Sequence, residues 1–185
     1  MPKLDHSVLE LLVDNMTRFN EAEESDRQGI FHVLAIFENF VGSKPALAER
    51  LVLKTKLLPW LLNRAQSKTH DENRGYATEL LSILLQGSQL NRLELGKNDG
   101  VEILLNIASV RCYTKITFKL LRHPQQFRRR DPVDADEAEF MENVFDSLCS
   151  ALAEAEIKDL FLKSEGVDLM VLMMKYIFLL FPYLS

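Results

Sequence analysis

Val33-Leu-Ala-Ile-Phe-Glu-Asn39, Leu80-Leu-Ser-Ile-Leu-Leu-Gln86 and Val144-Phe-Asp-Ser-Leu-Cys-Ser150 are three versions of one pattern. In each, apolar residues return every three or four positions, the period of an α-helix. Each is followed by a short amphipathic stretch: Pro45-Ala-Leu-Ala-Glu-Arg-Leu51, Asn91-Arg-Leu-Glu-Leu95 and Ile157-Lys-Asp-Leu-Phe-Leu162. Each then closes on a third helical stretch: Leu58-Pro-Trp-Leu-Leu62, Val101-Glu-Ile-Leu-Leu105 and Val167-Asp-Leu-Met-Val171. Two of these share an entrance, Lys97-Asn-Asp-Gly-Val101 and Lys163-Ser-Glu-Gly-Val167. There Gly100 and Gly166 are expected to end a turn and let the next helix change direction, using the conformational freedom of glycine.

Positions 33 and 80 are 47 residues apart, and positions 80 and 144 are 64 apart. The first interval is that of armadillo or HEAT units, roughly 40–47 residues of two or three helices. The excess in the second falls in 110–135. One such unit cannot bury its own apolar face, so neighbours must cover it. The expected fold is therefore all-α, an armadillo-like α-α superhelix of about three repeats. Its units are expected at about 22–66, 71–109 and 136–175, with an inserted loop at 110–135 and an atypical apolar tail at 176–185.

Working outward, Val8, Leu11, Leu12, Asn15, Met16 and Phe19 predict a first helix over 7–19, placed to cap one end. Ile30, Val33, Leu34, Phe37, Phe40 and Val41 predict a second. Further helices are expected at 46–53, 56–66, 72–86, 90–96, 100–109, 138–153, 156–163 and 166–175. No stretch keeps a two-residue alternation, so no sheet is expected.

The 185 residues are 47% hydrophobic and 26% charged, which suits one globular domain and excludes a disordered chain. With 22 Lys plus Arg against 27 Asp plus Glu, the net charge of −5 gives no basic footprint for nucleic acid. Cys112 and Cys149 cannot form a disulfide framework and fit a reducing compartment. Met1-Pro-Lys-Leu-Asp-His6 lacks the apolar run of a secretory signal. Residues 167–184 are almost wholly apolar, and a tail-anchored or membrane-associated protein is the alternative reading. The shortness of the run, Lys175 and Pro182 favour a buried last helix. Met170, Met173 and Met174 then lie on an end face, which predicts marginal stability or self-association.

The residues carry no constellation for catalysis, a cofactor or a metal. His6, His32, His70 and His123 stand at no ligand spacing, and neither cysteine has a Cys or His within four residues. Asp131, Asp134, Asp136 and Glu137 do not follow a calcium-loop pattern and read as a solvated linker leading into a helix N-terminus. Cys149 lacks a nucleophile signature and is expected to be a buried helix residue. Glycines are scattered, so no phosphate loop is present. Arg128-Arg-Arg130 beside the acidic run reads as a solvated loop. What remains is surface. The third helices carry Lys56, Trp60, Asn63 and Asn106, types suited to peptide recognition, although Trp60 reads first as core.

Local strings then add a family resemblance. Leu34-Ala-Ile-Phe-Glu-Asn39, Trp60-Leu-Leu-Asn-Arg64, Glu79-Leu-Leu-Ser-Ile-Leu-Leu-Gln86, Asn91-Arg-Leu-Glu-Leu-Gly96, Met141-Glu-Asn-Val-Phe-Asp-Ser-Leu-Cys-Ser150 and Phe161-Leu-Lys-Ser-Glu-Gly-Val167 stand in the order of the beta-catenin-like protein 1 family. The chain resembles a central slice of that nuclear, spliceosome-associated armadillo family from about 8 to 175. The resemblance implies a non-enzymatic scaffold in the nucleus. It implies protein partners, among them the CDC5-like component of the Nineteen Complex, rather than nucleic acid or membrane. It also implies surface docking, with basic localisation-signal peptides on an acidic groove as one form. The family's basic import region matches no residue of this chain. Residues 111–126 have no counterpart in the family, and after Lys175 the family continues with a charged helix. Both 111–126 and 176–185 are therefore expected to be translated intron or an alternative isoform, which cDNA across the junctions would test.

Overall fold

The computed structural model describes residues 6–68, 71–112, 132 and 134–180, and among them it contains ten α-helices and no strand. They are α1 His6–Met16, α2 Glu24–Ser43, α3 Pro45–Lys54, α4 Leu57–Ala65, α5 Glu72–Gly87, α6 Gln89–Lys97, α7 Gly100–Cys112, α8 Ala135–Ala151, α9 Ala155–Lys163 and α10 Gly166–Leu180. Residues 113–131 of the expected insertion and 181–185 of the apolar tail lie outside the described residues.

Local chemistry sets many of these ends. Asp71 caps α5 by accepting from the Arg74 amide at 3.0 Å, Ser88 caps α6 from Asn91, and Asp134 caps α8 from Glu137 at 2.8 Å. Lys44, extended before Pro45, separates α2 from α3.

The helices stack in three rows. α2, α5 and α8 pack side by side, as do α3, α6 and α9, and α4, α7 and α10. The core runs through the stack: Leu34, Phe37, Leu57, Leu61, Leu81, Leu84, Leu104 and Val144 are all fully enclosed. The result is an all-α, armadillo-like superhelix of about three repeats. Polar ties join successive layers. Buried Arg64 pairs with Glu21 at 2.7 Å and with Asp71. Asn73 Nδ2 donates to Arg27 O at 2.9 Å, and Ser88 Oγ donates to Glu49 at 2.8 Å. Arg92 and Gln89 both donate to Glu154 at the α8–α9 corner. These two hydrogen bonds, Gln89 first, hold the Glu154 carboxyl below its ordinary range.

Three expectations are corrected. The α1 helix stops at Met16 and buries Leu9, Val13 and Met16, leaving Val8 and Leu11 exposed. Phe19 lies beyond the helix, its ring 3.1 Å from where a Cβ on Gly29 would sit. Second, no glycine has a positive φ; the left-handed turn residues are Asp99 at φ 54° and Glu165 at φ 57°. Gly100 and Gly166 are required by space. A Cβ on Gly100 would lie 2.3 Å from Leu95 Cδ1 and 2.9 Å from Leu95 O, and one on Gly166 would lie 2.5 Å from the Phe161 ring. Third, Cys149 is exposed, because the buried stripe of α8 is Phe140, Val144, Ser147, Leu148 and Ala151.

Of the apolar run 167–184, the structure describes the part up to Leu180, as α10. No helix among the described residues is long and apolar enough to cross a membrane.

Candidate protein-interaction surface

Most of α4 and α7 is enclosed, and the open positions match. On α4 the exposed residues are Pro59 and Asn63, with Trp60 half-buried between them. On α7, through Ser109, they are Glu102 and Asn106, with Ile103 half-buried. These are the third, fourth and seventh residues of each helix, a single face at 3.6 residues per turn. The same three places on α10 hold exposed Asp168 and half-buried Leu169 and Leu172. Because α4, α7 and α10 pack side by side, their open faces form one strip. Asn63 and Asn106 stand in register on it, and among the described residues neither carboxamide has a hydrogen-bond partner. Lys56, the residue before α4, is exposed at one end. Trp60 packs its inner side against the core while keeping an open edge, so it belongs to both.

The acidic groups gather elsewhere. Glu38 on α2 and Glu79 on α5 meet along the first-helix row, and Glu139 on α8 extends the cluster. The Tyr76 hydroxyl donates to Glu38, and its ring stacks on Phe31 at 5.4 Å. Burial, the Glu38 bond and the nearby carboxylates push the Tyr76 hydroxyl up to about 12. Burial, then Glu38 and Glu139, raise the Glu79 carboxyl. The strip on the third-helix row, with Lys56, Glu102 and Asp168, is mixed in charge rather than acidic. A recess of about 360 Å³ opens beside this ridge, between the first turns of α2 and α5, lined by Glu24, Arg27, Phe31, His32, Asp71 and Glu72. Sequence spacing carries no signal for either feature, since stacking creates both.

A raised carboxyl in the fold binds its proton more tightly than the unfolded chain does. Its charge therefore costs stability at neutral pH, and that cost fades as pH falls through the raised value. Glu79→Gln is expected to stabilise the fold by about 0.5 kcal/mol at neutral pH, the scale of a like-charge pair across neighbouring elements. The gain should vanish below the ordinary carboxyl value of 4.5. Urea denaturation of both proteins at neutral and acidic pH checks the sign.

Among the described residues no group of three or more His, Cys, Asp or Glu is placed to hold a metal ion. His32 is exposed, its ring edge-on to Phe31 at 5.7 Å. Asp134 spends its side chain on the α8 cap, and Glu137 is buried. His70, His123, Asp131 and Arg128-Arg-Arg130 lie outside the described residues, as does the side chain of His6.

Three stacked rows of helices with an open strip of polar and aromatic side chains define an armadillo-like helical repeat protein, a class whose extended surfaces bind other proteins. Residues 3–179 match the family described as catenin-beta-like, Arm-motif containing, nuclear, and the chain belongs to that family. It is similar to the beta-catenin-like protein 1 homolog of Schizosaccharomyces pombe, 35% identical over 175 residues, which are 94% of this chain and 28% of that protein. It is 38% identical over 173 residues to human beta-catenin-like protein 1, covering 93% of this chain and 28% of the relative. The match thus spans a little over a quarter of the length of these curated relatives.

Proposed function

We propose that this chain is a non-enzymatic protein-interaction scaffold of the nucleus, associated with the spliceosome through the CDC5-like component of the Nineteen Complex. Membership of a family described as nuclear and Arm-motif containing supports the setting. The observation that carries the docking mode is the matched pair Asn63 and Asn106, open and in register on adjacent helices. A carboxamide offers a donor and an acceptor together, the complement of an extended backbone. Packed helices lie about 8–10 Å apart, and an extended chain advances about 3.3 Å per residue, so successive asparagines would meet every third residue. Trp60 and Ile103, one turn earlier, supply apolar area for side chains beside that backbone.

The test is a pull-down from nuclear extract with the wild-type chain and an Asn63→Ala/Asn106→Ala variant, read by mass spectrometry. The wild type should recover splicing proteins including the CDC5-like component, and the double variant, with an unchanged melting temperature, should lose them. Equal recovery by both moves the docking surface off this strip. Recovery by neither removes this slice from the docking role.

A further inference from the structure

One turn before Trp60, Ile103 and Leu169 stand Lys56, Asp99 and Glu165. Their carbonyls accept matching bonds, from the Trp60, Ile103 and Leu169 amides at 3.1, 3.0 and 3.0 Å. Lys56, Asp99 and Glu165 therefore hold one register at the edge of the strip, and all are exposed. The next position along that edge is Pro59 on α4, Glu102 on α7 and Asp168 on α10. The edge is basic at α4 and carries two carboxylates at each of α7 and α10. Among the described residues none of these charged side chains has a partner.

The acids have a local reason, since negative charge suits the positive end of a helix. Lys56 has none, because it stands at the positive end of α4, where a cation is disfavoured. The edge also has a spacing. Packed helices lie about 8–10 Å apart. A polyproline-type chain has three residues per turn at about 3.1 Å each, so it returns to the same side every 9 Å or so. Its first, fourth and seventh side chains thus meet α4, α7 and α10 in turn.

We propose that the strip takes an extended segment of a partner protein that is acidic at the first of these places and basic at the fourth and seventh. The proposal rests on the docking role of Asn63 and Asn106 and adds the order of charges. The acid answers Lys56, the first base answers Asp99 and Glu102, and the second answers Glu165 and Asp168. Apolar residues between them lie on Trp60 and Ile103. A uniformly acidic surface would take basic segments in any order. The change of sign at α4 selects one order and fixes the direction in which the segment lies.

Fluorescence anisotropy with the full chain tests this, using two labelled, end-blocked peptides of one composition, Asp-Leu-Pro-Lys-Leu-Pro-Lys and Lys-Leu-Pro-Asp-Leu-Pro-Lys. The first should bind about tenfold tighter, because the second sets its acid against Glu102 whichever way it lies. Asp99→Asn/Glu102→Lys, at exposed sites, should reverse the preference. Lys56→Glu should weaken the first peptide about fivefold and favour Lys-Leu-Pro-Lys-Leu-Pro-Lys by as much. Equal binding of the two peptides overturns the proposal. So do a preference that survives Asp99→Asn/Glu102→Lys, and binding that is lost in Glu38→Gln instead, which would put the peptide on the acidic ridge. Binding of neither peptide, with partner recovery still dependent on Asn63 and Asn106, overturns the charge order alone. Loss of that dependence as well removes the docking role with it. Circular dichroism melts confirm that each variant is folded.

Discussion

Arg74→Ala is expected to lower the stability of the fold by about 4 kcal/mol, a large share of the 5–15 kcal/mol typical of a domain. Arg74 is only 3% exposed. Its Nε and Nη2 both donate to the Ala65 carbonyl, at 3.0 and 2.8 Å, where α4 ends. Its guanidinium carbon stands 3.9 Å from the centre of the Phe140 ring on α8. One side chain thus ties α4, α5 and α8 together. Hydrogen bonds from a charged donor contribute about 1.5–3 kcal/mol, and a desolvated cation over an aromatic face about 2 kcal/mol. The hole left in a dry layer adds to the loss, while release of the cation's desolvation cost offsets part of it.

Arg74→Lys separates these contributions. Lysine keeps the charge but cannot hold the fork on the Ala65 carbonyl and cover the ring together. It should therefore cost about half as much as alanine, roughly 2 kcal/mol. Urea denaturation of the three proteins measures both differences. An alanine variant within 1 kcal/mol of wild type would mean that the desolvation cost of the buried cation already cancels its bonds.

The helices were legible in the sequence because the signals that make them are local. The expected 72–86 is Glu72–Gly87, and 156–163 is Ala155–Lys163. The run Asp134 to Glu137 reads as a helix entrance, and it is one, with the Asp134 cap at 2.8 Å. The errors arise where two readings satisfy the same period. In α1 the set Val8, Leu11, Leu12 and the set Leu9, Leu12, Val13, Met16 both repeat at three and four residues. Contact with α2 and α3 decides between them. Gly100 shows a different limit. The sequence shows that a glycine is there, but the reason is the approach of Leu95, while the unusual φ belongs to Asp99.

The surface divides in the same way. Asn63 and Asn106 were visible as polar interruptions of apolar third helices, and the fold places them in register. The acidic ridge was not visible. Glu38, Glu79 and Glu139 are 41 and 60 residues apart in sequence and interact because α2, α5 and α8 stack. An acidic character read from a net charge of −5 therefore says nothing about which row of helices carries it.

Phe37→Ala is the other substitution with a large expected effect, about 4 kcal/mol, within the range for a fully enclosed phenylalanine. Phe37 has no exposed surface and sits on α2, which packs against α1, α3 and α5. The two variants should differ in where they act. In a stack each layer is stabilised by its own core and by its immediate neighbours. Phe37 belongs to the first layer, so its loss should loosen α1 to α4 and leave α8 and α9 nearly as protected as before. Arg74 and Phe140 join the second layer to the third, so loss of Arg74 should expose amides on α5 and α8 together. Native-state hydrogen exchange read by mass spectrometry distinguishes these patterns, since local openings report local stability. Layer-specific loss of protection would make the chain three coupled units. A uniform loss across α1 to α9 in both variants would mean that the core running through Leu34, Leu81 and Val144 is cooperative enough to act as one.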